Sequence, residues 1–243
     1  MHTQLRSLRR QLLAGPYLLW MAGFILLPVV MIFYYAFTTT SGHFTLLNIS
    51  SIFASIHLKS LFLSLKLALA CTAVCLVLSY PLAMVLNHMK TKNQGFIVFI
   101  FILPMWMNFM LRILAWKLLL SNNGVINTLL ETLGLPGLDV LNTPSAVVFC
   151  MVYDFLPFMI LPIYNAMSRI QPDIIEAAGD LGAGELTIFF KIIVPLTMPG
   201  VISGITMVFV PALTSFAISD LLGGGKVLLI GNVIEQAFMQ EYN

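Results

Sequence analysis

Charged residues are scarce in this sequence of 243 residues. They make up 9% of it, whereas they account for about 25% of an ordinary soluble domain. Hydrophobic residues make up 59% of the chain. So little charge cannot provide the polar surface that a water-soluble domain needs, and the formal net charge of +2 is too small to indicate a nucleic-acid partner.

Residues that hold metals or form disulfides are also few. The three cysteines are Cys71, Cys75 and Cys150, and all of them lie in apolar stretches. Neither a histidine nor a further cysteine completes a metal site with Cys71 and Cys75, and the four histidines are scattered. We therefore expect small buried thiols, and we predict no cofactor, disulfide framework or metal site.

Catalytic motifs are missing as well. The phosphate-binding pattern G-x-x-x-x-G-K-[ST] does not occur, so the chain by itself is not expected to hydrolyse ATP. The sequence also lacks a Ser/His/Asp arrangement of the kind that an intramembrane enzyme would need. The sequence therefore predicts a protein that is not an enzyme.

Long apolar stretches are what the sequence has in abundance. A membrane-spanning helix needs about 20 predominantly apolar residues. Five stretches meet this length, namely 15–37, 61–86, 96–120, 146–167 and 199–222. We predict an all-α integral membrane protein, a polytopic helical bundle that forms one transmembrane domain over residues 1–243 in the lipid bilayer.

The distribution of the cations predicts the orientation of these spans. If the N-terminus is cytoplasmic, the inside segments hold Arg6, Arg9, Arg10, Lys90, Lys92, Arg169 and Lys191. The outside segments then hold only Lys59 and Lys226, with Lys117 near an outer helix end. Because cytoplasmic loops carry an excess of Lys and Arg, we predict a cytoplasmic N-terminus and a cytoplasmic loop over residues 168–195.

Polar residues inside the predicted spans are candidates for function. Asp154 lies beside Tyr153 in the fourth stretch, and Asn108 and Arg112 are four residues apart in the third. An ionisable residue at membrane depth is costly and usually faces a cavity or another helix. Three alternatives stay open: Asp154 contacts a substrate directly, Asp154 pairs with Arg112 or with a residue of another subunit, or Arg112 reaches to the outer interface.

A second feature of the spans is a pair of glycines. Gly200 and Gly204 form a G-x-x-x-G pattern in the fifth stretch, which suits close contact between two helices. The sequence does not decide whether the partner helix belongs to this chain or to another subunit.

The stretch 172–195, PDIIEAAGDLGAGELTIFFKIIVP, interrupts the apolar pattern with four carboxylates. Asp173 and Glu176 have the spacing of a capping box with Asp173 as the N-cap. One apolar helix face is formed by Ile174, Ala177, Ala178 and Leu181. Gly182 follows, where a glycine can end a helix in the left-handed conformation. We predict a short amphipathic helix that lies on a surface and does not cross the membrane.

This stretch resembles a known motif. Glu176-Ala177-Ala178, then Gly182 and the segment Ile192-Ile193-Val194-Pro195, resemble the EAA motif of binding-protein-dependent ABC importer permeases, with Val194 where the family has leucine. In that family this loop is the coupling helix that docks in a groove of the cytoplasmic ATPase. The resemblance implies that Glu176, Ala177, Ala178 and Gly182 dock an ATPase.

Further segments resemble the spermidine/putrescine permeases, specifically their B-type membrane subunit. They are residues 103–112, 144–148, 156–162 and 219–224. The resemblance implies the type I ABC importer permease fold and a location in a bacterial inner membrane. The implied partners are a sister permease subunit in a heterodimer, an ATP-binding subunit dimer and an extracytoplasmic polyamine-binding protein.

The resemblance also narrows the substrate. A pathway for polycations should offer carboxylates and aromatic faces, through ion pairs and cation–π contacts. The candidates for the pathway are Asp154, Tyr153, Trp106, Asn108 and Asp220. Two alternatives stay open, namely an ABC importer for another small solute and a membrane assembly subunit without a pathway.

The number of spans departs from the resembled family. Those permeases have six spans, whereas this sequence offers five candidates. We expect either that the sequence is truncated or that the last helix is encoded separately.

Overall fold

A computed structural model describes residues 15–39, 42–89 and 94–241. Several cations on which the predicted orientation depends lie outside these residues, namely Arg6, Arg9, Arg10, Lys90 and Lys92. The described chain is almost entirely helical, and its one β-type pairing there is an isolated bridge between Thr38 and Phe44. The predicted all-α class is confirmed.

In chain order the helices are α1 (Gly15–Ala36), α2 (Leu47–Ser51), α3 (Ser55–His88), α4 (Gln94–Ile102), α5 (Phe109–Leu119), α6 (Val125–Thr132), α7 (Pro144–Met167), α8 (Pro172–Asp180), α9 (Glu185–Thr214), α10 (Ala217–Gly223) and α11 (Ile230–Glu241). One turn of α1 and one of α9 are π-helical, Ala22–Leu26 and Phe189–Ile193. A 3₁₀ turn, Leu103–Trp106, follows α4.

The chain divides into two compact units, residues 1–58 and 59–243. In the first unit, α1 has a mean hydropathy of 2.1 and is long enough to cross a membrane. The Asn48 amide donates to the carbonyl oxygens of Tyr35 and Thr38, both at 3.1 Å, and so fastens α2 to the end of α1.

Within the described ranges, four helices are long and apolar enough to cross a membrane, namely α1, α3, α7 and α9, and a bent pair of helices brings the number to five. This number agrees with the five predicted stretches. The bent pair corresponds to the third stretch, where Phe99–Trp106 and Phe109–Leu119 meet at 96°. The bend has a local cause. The backbone of Met107 is extended. Asn108 then caps a new helix, because its side-chain oxygen accepts hydrogen bonds from the Met110 and Leu111 amides at 2.9 and 3.3 Å.

The fifth span differs from its predicted bounds of 199–222. Helix α9 begins at Glu185 and ends at Thr214, where the extended backbone of Ser215 (ψ 126°) stops it. The remainder of the predicted stretch forms the separate helix α10. Apolar content alone cannot locate such a break, because apolar residues lie on both sides of it.

Close packing between α7 and α9 organises the second unit. A Cβ on Gly200 would lie 2.5 Å from the Pro162 carbonyl oxygen and 2.6 Å from the Ala166 Cβ. A Cβ on Gly204 would lie 2.7 Å from the Met159 Sδ. The glycine pair therefore packs against α7 of the same chain, which decides the alternative that the sequence left open. The three cysteines are buried in the same core, as expected.

Candidate functional site

Helix α8 begins one residue earlier than its predicted cap. Gln171 is the N-cap, Pro172 occupies the first turn, and no side chain caps the helix. The predicted capping box with Asp173 as the cap is therefore wrong. Proline suits the first helical position because its φ is already helical and its missing N–H would have no partner there. Asp173 instead lies in the first turn, where the helix dipole favours a negative charge.

The end of α8 is formed as the sequence predicts. Gly182 has a φ of +80°, the left-handed conformation. The Gly182 amide donates to the Gly179 carbonyl oxygen at 2.8 Å. The Ala183 amide donates to the Ala178 carbonyl oxygen at 3.0 Å. A Cβ on Gly182 would meet no atom within 4 Å. Within this chain, glycine is therefore needed for its backbone conformation rather than for close packing.

The described residues leave the apolar face of α8 uncovered. Leu181 is 89% exposed and Ile174 is 42% exposed. Ala177 is exposed and Ala178 is half-buried, while Glu176 on the polar face is exposed. The helix thus presents leucine, isoleucine and two alanines to its surroundings between two spans, α7 and α9.

The segment that follows α8 is tied to α3. The Tyr80 ring packs edge-on against Phe189 at 5.6 Å between centroids. The Tyr80 hydroxyl lies 2.8 Å from the Thr197 hydroxyl of α9. Phe189 begins the π-helical turn of α9, and such turns are frequent at functional sites. These contacts join α3 to the first half of α9, the helix that follows α8 in the chain.

A buried ion pair joins the bent third span to α7. The Arg112 Nε lies 2.7 Å from the Asp154 Oδ1, and the two side chains are 10% and 0% exposed. The Arg112 Nη1 donates to the Pro104 carbonyl oxygen at 2.8 Å, on the other limb of the bend. The Cys150 thiol approaches the Asp154 Oδ2 at 3.8 Å. Of the alternatives open from the sequence, the structure shows Asp154 paired with Arg112, and Arg112 as a whole residue is 8% exposed.

The other predicted pathway residues do not gather around this pair. Trp106 is 77% exposed beside Phe99, Asn108 is the exposed cap of α5, and Asp220 is exposed on α10. In the described part of the chain, no hydrogen bond, ion pair or ring contact joins these three to Asp154. Their contact with a substrate stays a prediction.

Tyr153 faces a different surface. Its ring packs edge-on against Trp116 at 5.2 Å, and both line an apolar groove of about 810 Å³ between α3 and α7. The groove walls include Leu67 and Phe149. Such walls suit an apolar chain or helix better than a polycation. Sequence reasoning missed this groove because its walls come from separate stretches of the chain.

A smaller cavity of about 380 Å³ lies at the end of α9. It is lined by Thr214, Phe216, Ile230, Gly231, Ile234 and Glu235. Glu235 is half-buried. Sequence reasoning did not single out Glu235, since a carboxylate in a polar segment after the last apolar stretch resembles an ordinary solvated side chain.

Comparison with known proteins identifies the family. Residues 76–241 match the family described as binding-protein-dependent transport system inner membrane component. The chain belongs to this family. It is therefore a multi-pass membrane permease of ABC importers, not an enzyme, and the resemblance drawn from the EAA-like stretch is confirmed.

Relatives within this permease family share much of the chain. The chain is 37% identical over 232 residues to the spermidine/putrescine transport system permease protein PotB of Haemophilus influenzae, a match covering 92% of this chain and 81% of the relative. The protein of the same name from Escherichia coli is 40% identical over 228 residues, covering 90% and 83%.

Solved structures support the fold of the permease. A bacterial ABC transporter that imports the acidic polysaccharide alginate has a TM-score of 0.70 at 19% identity, covering 100% of this chain and 89% of that one. A second structure, of a bacterial alginate ABC transporter in complex with its pentasaccharide-bound periplasmic protein, has a TM-score of 0.68 at 17% identity, covering 93% and 79%. At these identities the likeness concerns the fold alone.

Proposed function

We propose that this chain is the transmembrane permease subunit of an ATP-driven importer of polyamines, spermidine or putrescine. The substrate class rests on the 37% and 40% identity to permeases that bear the spermidine/putrescine name, over nine tenths of this chain. The structural observation that carries the transport role is the exposed helix α8 between two membrane-crossing helices.

Helix α8 is the docking element for an ATP-binding subunit. Its apolar face is uncovered in this chain, and Leu181 is 89% exposed. An exposed apolar face on a short loop helix is costly in water and suits a partner groove. Ala177 and Ala178 let another backbone approach closely, Glu176 offers a charge at the edge, and Gly182 ends the helix at the required place.

The family to which the chain belongs supports the rest of the proposed assembly. The N-terminus and α8 face the cytoplasm, where two ATP-binding subunits meet this permease and a sister permease that completes a heterodimer. A polyamine-binding protein delivers the solute on the opposite side of the inner membrane. The excess of cations in the predicted inside segments supports this orientation.

Transport proceeds by alternating access. When ATP draws the two ATP-binding subunits together, α8 moves with the groove that holds it. The motion passes to α9 and, through the contacts of Tyr80 with Phe189 and Thr197, to α3. Because Gly200 of α9 packs closely on Pro162 of α7, α7 and α9 move together.

We assign Asp154 a structural role in the permease and not a direct contact with the substrate. Its carboxylate is fully buried and already paired with Arg112. An ammonium group of the substrate would have to displace a guanidinium that also holds the Pro104 carbonyl oxygen. Trp106, Asn108 and Asp220 remain the proposed residues of the pathway, whereas Tyr153 lines the apolar groove.

Radiolabelled spermidine uptake tests the proposed function. Cells without endogenous polyamine import would express this chain with its sister permease, ATP-binding subunit and binding protein, and unlabelled putrescine would serve as competitor. We expect ATP-dependent uptake that disappears when this chain is omitted. An assembled complex that takes up neither labelled spermidine nor, in a parallel assay, labelled putrescine would refute the substrate class.

A further inference from the structure

The cavity at the end of α9 is built from a helix break and a helix start. Helix α9 ends at Thr214, and the first turn of α11 lies against that end. A Cβ on Gly231 would lie 2.6 Å from the Thr214 carbonyl oxygen and 3.2 Å from the Phe216 Cβ. The buried Asn232 amide donates to the Phe216 carbonyl oxygen at 3.1 Å. These contacts hold the walls of the cavity in place.

Its lining residues are mostly apolar or aromatic, and Glu235 is the one among them that carries a charge. Glu235 is four residues after Gly231, and Ile234 is three residues after it, so all three share one face of α11. Phe216, 39% exposed, closes the other side. The volume of about 380 Å³ falls within the roughly 300–1,000 Å³ of small-molecule pockets.

The charges around the cavity favour a cation. The carbonyl end of α9 carries partial negative charge, and Thr214 at that end lines the cavity. Two amides at the start of α11 have partners within the chain: the Ile230 amide donates to the Ser64 hydroxyl at 2.8 Å, and the Leu229 amide donates to the Asn232 side chain at 3.2 Å. In the described part of the chain, Glu235 forms no ion pair.

We propose that this cavity is an alkylammonium site, in which the Glu235 carboxylate pairs with one ammonium group of a polyamine while Phe216 and Ile234 contact the adjoining methylenes. The aromatic ring contributes a cation–π contact. The site lies at the end of α9 away from α8, which is the outer end in the predicted orientation. It would receive the solute before the solute enters the pathway. The proposal rests on the proposed function, because polyamine import is what brings such a cation to this chain.

Four variants of the full complex test the site by initial rates of spermidine uptake, each divided by the amount of assembled complex. They are Glu235→Gln, Glu235→Asp, Gln236→Ala, and Glu235→Gln combined with Gln236→Glu. Gln236 is exposed and does not line the cavity. The combined variant therefore keeps the net charge of α11 and moves the carboxylate off the site.

We expect Glu235→Gln to lower the uptake rate at subsaturating spermidine at least tenfold, because a charge-assisted contact is worth about ten- to a hundredfold in affinity. Glu235→Asp should retain at least a third of the rate, and Gln236→Ala should match the wild type. The combined variant should be as slow as Glu235→Gln alone.

Two results would overturn the site. One is uptake by Glu235→Gln within twofold of a wild type that imports spermidine, and the other is full recovery in the combined variant, which would indicate a surface-charge effect only. If the wild-type complex assembles but imports no polyamine, the proposed function itself fails. The wild-type arm therefore separates the two failures.

Discussion

Arg112 and Asp154 form a buried ion pair, with 2.7 Å between Nε and Oδ1, that joins the bent third span to α7. The same guanidinium holds the Pro104 carbonyl oxygen on the far limb of the bend. One side chain thus ties three backbone segments together. Removing either partner leaves an uncompensated buried charge, which costs more than the pair itself contributes.

Neutralising one partner alone should therefore destabilise the permease. We expect Asp154→Asn or Arg112→Gln to lower the stability by about 3–5 kcal/mol. Replacing both residues with apolar ones, Arg112→Met with Asp154→Leu, should recover most of the loss. Thermal unfolding of the purified complex measures all three, and single variants that unfold at the wild-type temperature would contradict a structural role for the pair.

The same double variant distinguishes structure from transport. If the only role of Asp154 is its ion pair with Arg112, the double variant should import spermidine at more than half the wild-type rate. A stable double variant that imports none would return Asp154 to the substrate pathway.

Close packing at Gly200 predicts a strong effect of a single methyl group. In Gly200→Ala, the new Cβ would lie 2.5 Å from the Pro162 carbonyl oxygen, so α7 and α9 must move apart. Overpacking of this kind costs about 1–3 kcal/mol. Gly23→Ala in α1 is the matched control, because a Cβ there meets no atom within 4 Å. Equal thermal stability of the two variants would argue against the close contact.

Docking at α8 is best tested at Leu181. This side chain is 89% exposed, so Leu181→Ser should leave the fold of the permease unchanged. We expect it to reduce copurification of the ATP-binding subunit at least tenfold. Leu133→Ser, at a site 74% exposed after α6, is the control. Gly182 is a poorer test, because its φ of +80° would strain any side chain with or without docking.

Asn127 holds the segment between α6 and α7. It is 3% exposed, and its side chain donates to the carbonyl oxygens of Ser121 and Leu138 at 3.1 and 3.0 Å. Its side-chain oxygen also accepts a hydrogen bond from the Leu138 amide at 2.6 Å. Asn127→Ala leaves these groups unpaired, at about 1–3 kcal/mol for each buried group.

Limited proteolysis of the permease in isolated membranes measures the effect of this substitution. We expect residues 121–145 to be cleaved several times faster in Asn127→Ala than in the wild type. Asn122→Ala, at an exposed position, should be cleaved at the wild-type rate. Identical cleavage of both variants would show that Asn127 does not hold the segment.

Local patterns predicted the parts of the site that are local. The apolar spacing and the glycine at 182 predicted α8 and its left-handed end, which the structure confirms. The predicted cap failed because Asp173 and Pro172 both suit a helix start, and the proline took the first position. The sequence did not indicate Glu235 because its significance depends on Thr214 and Phe216, which lie at the junction between α9 and α10.

The sequence by itself determined that this protein crosses a membrane, which stretches are long and apolar enough to do so, and which short helix lies between the last two. These properties follow from length, hydrophobicity and residue spacing along a single helix. Only the tertiary structure decided that Asp154 pairs with Arg112, that Gly200 packs on Pro162, and that the third span bends by 96°. Each of these depends on which helices come into contact, and contact between distant segments is set by packing that no local pattern encodes.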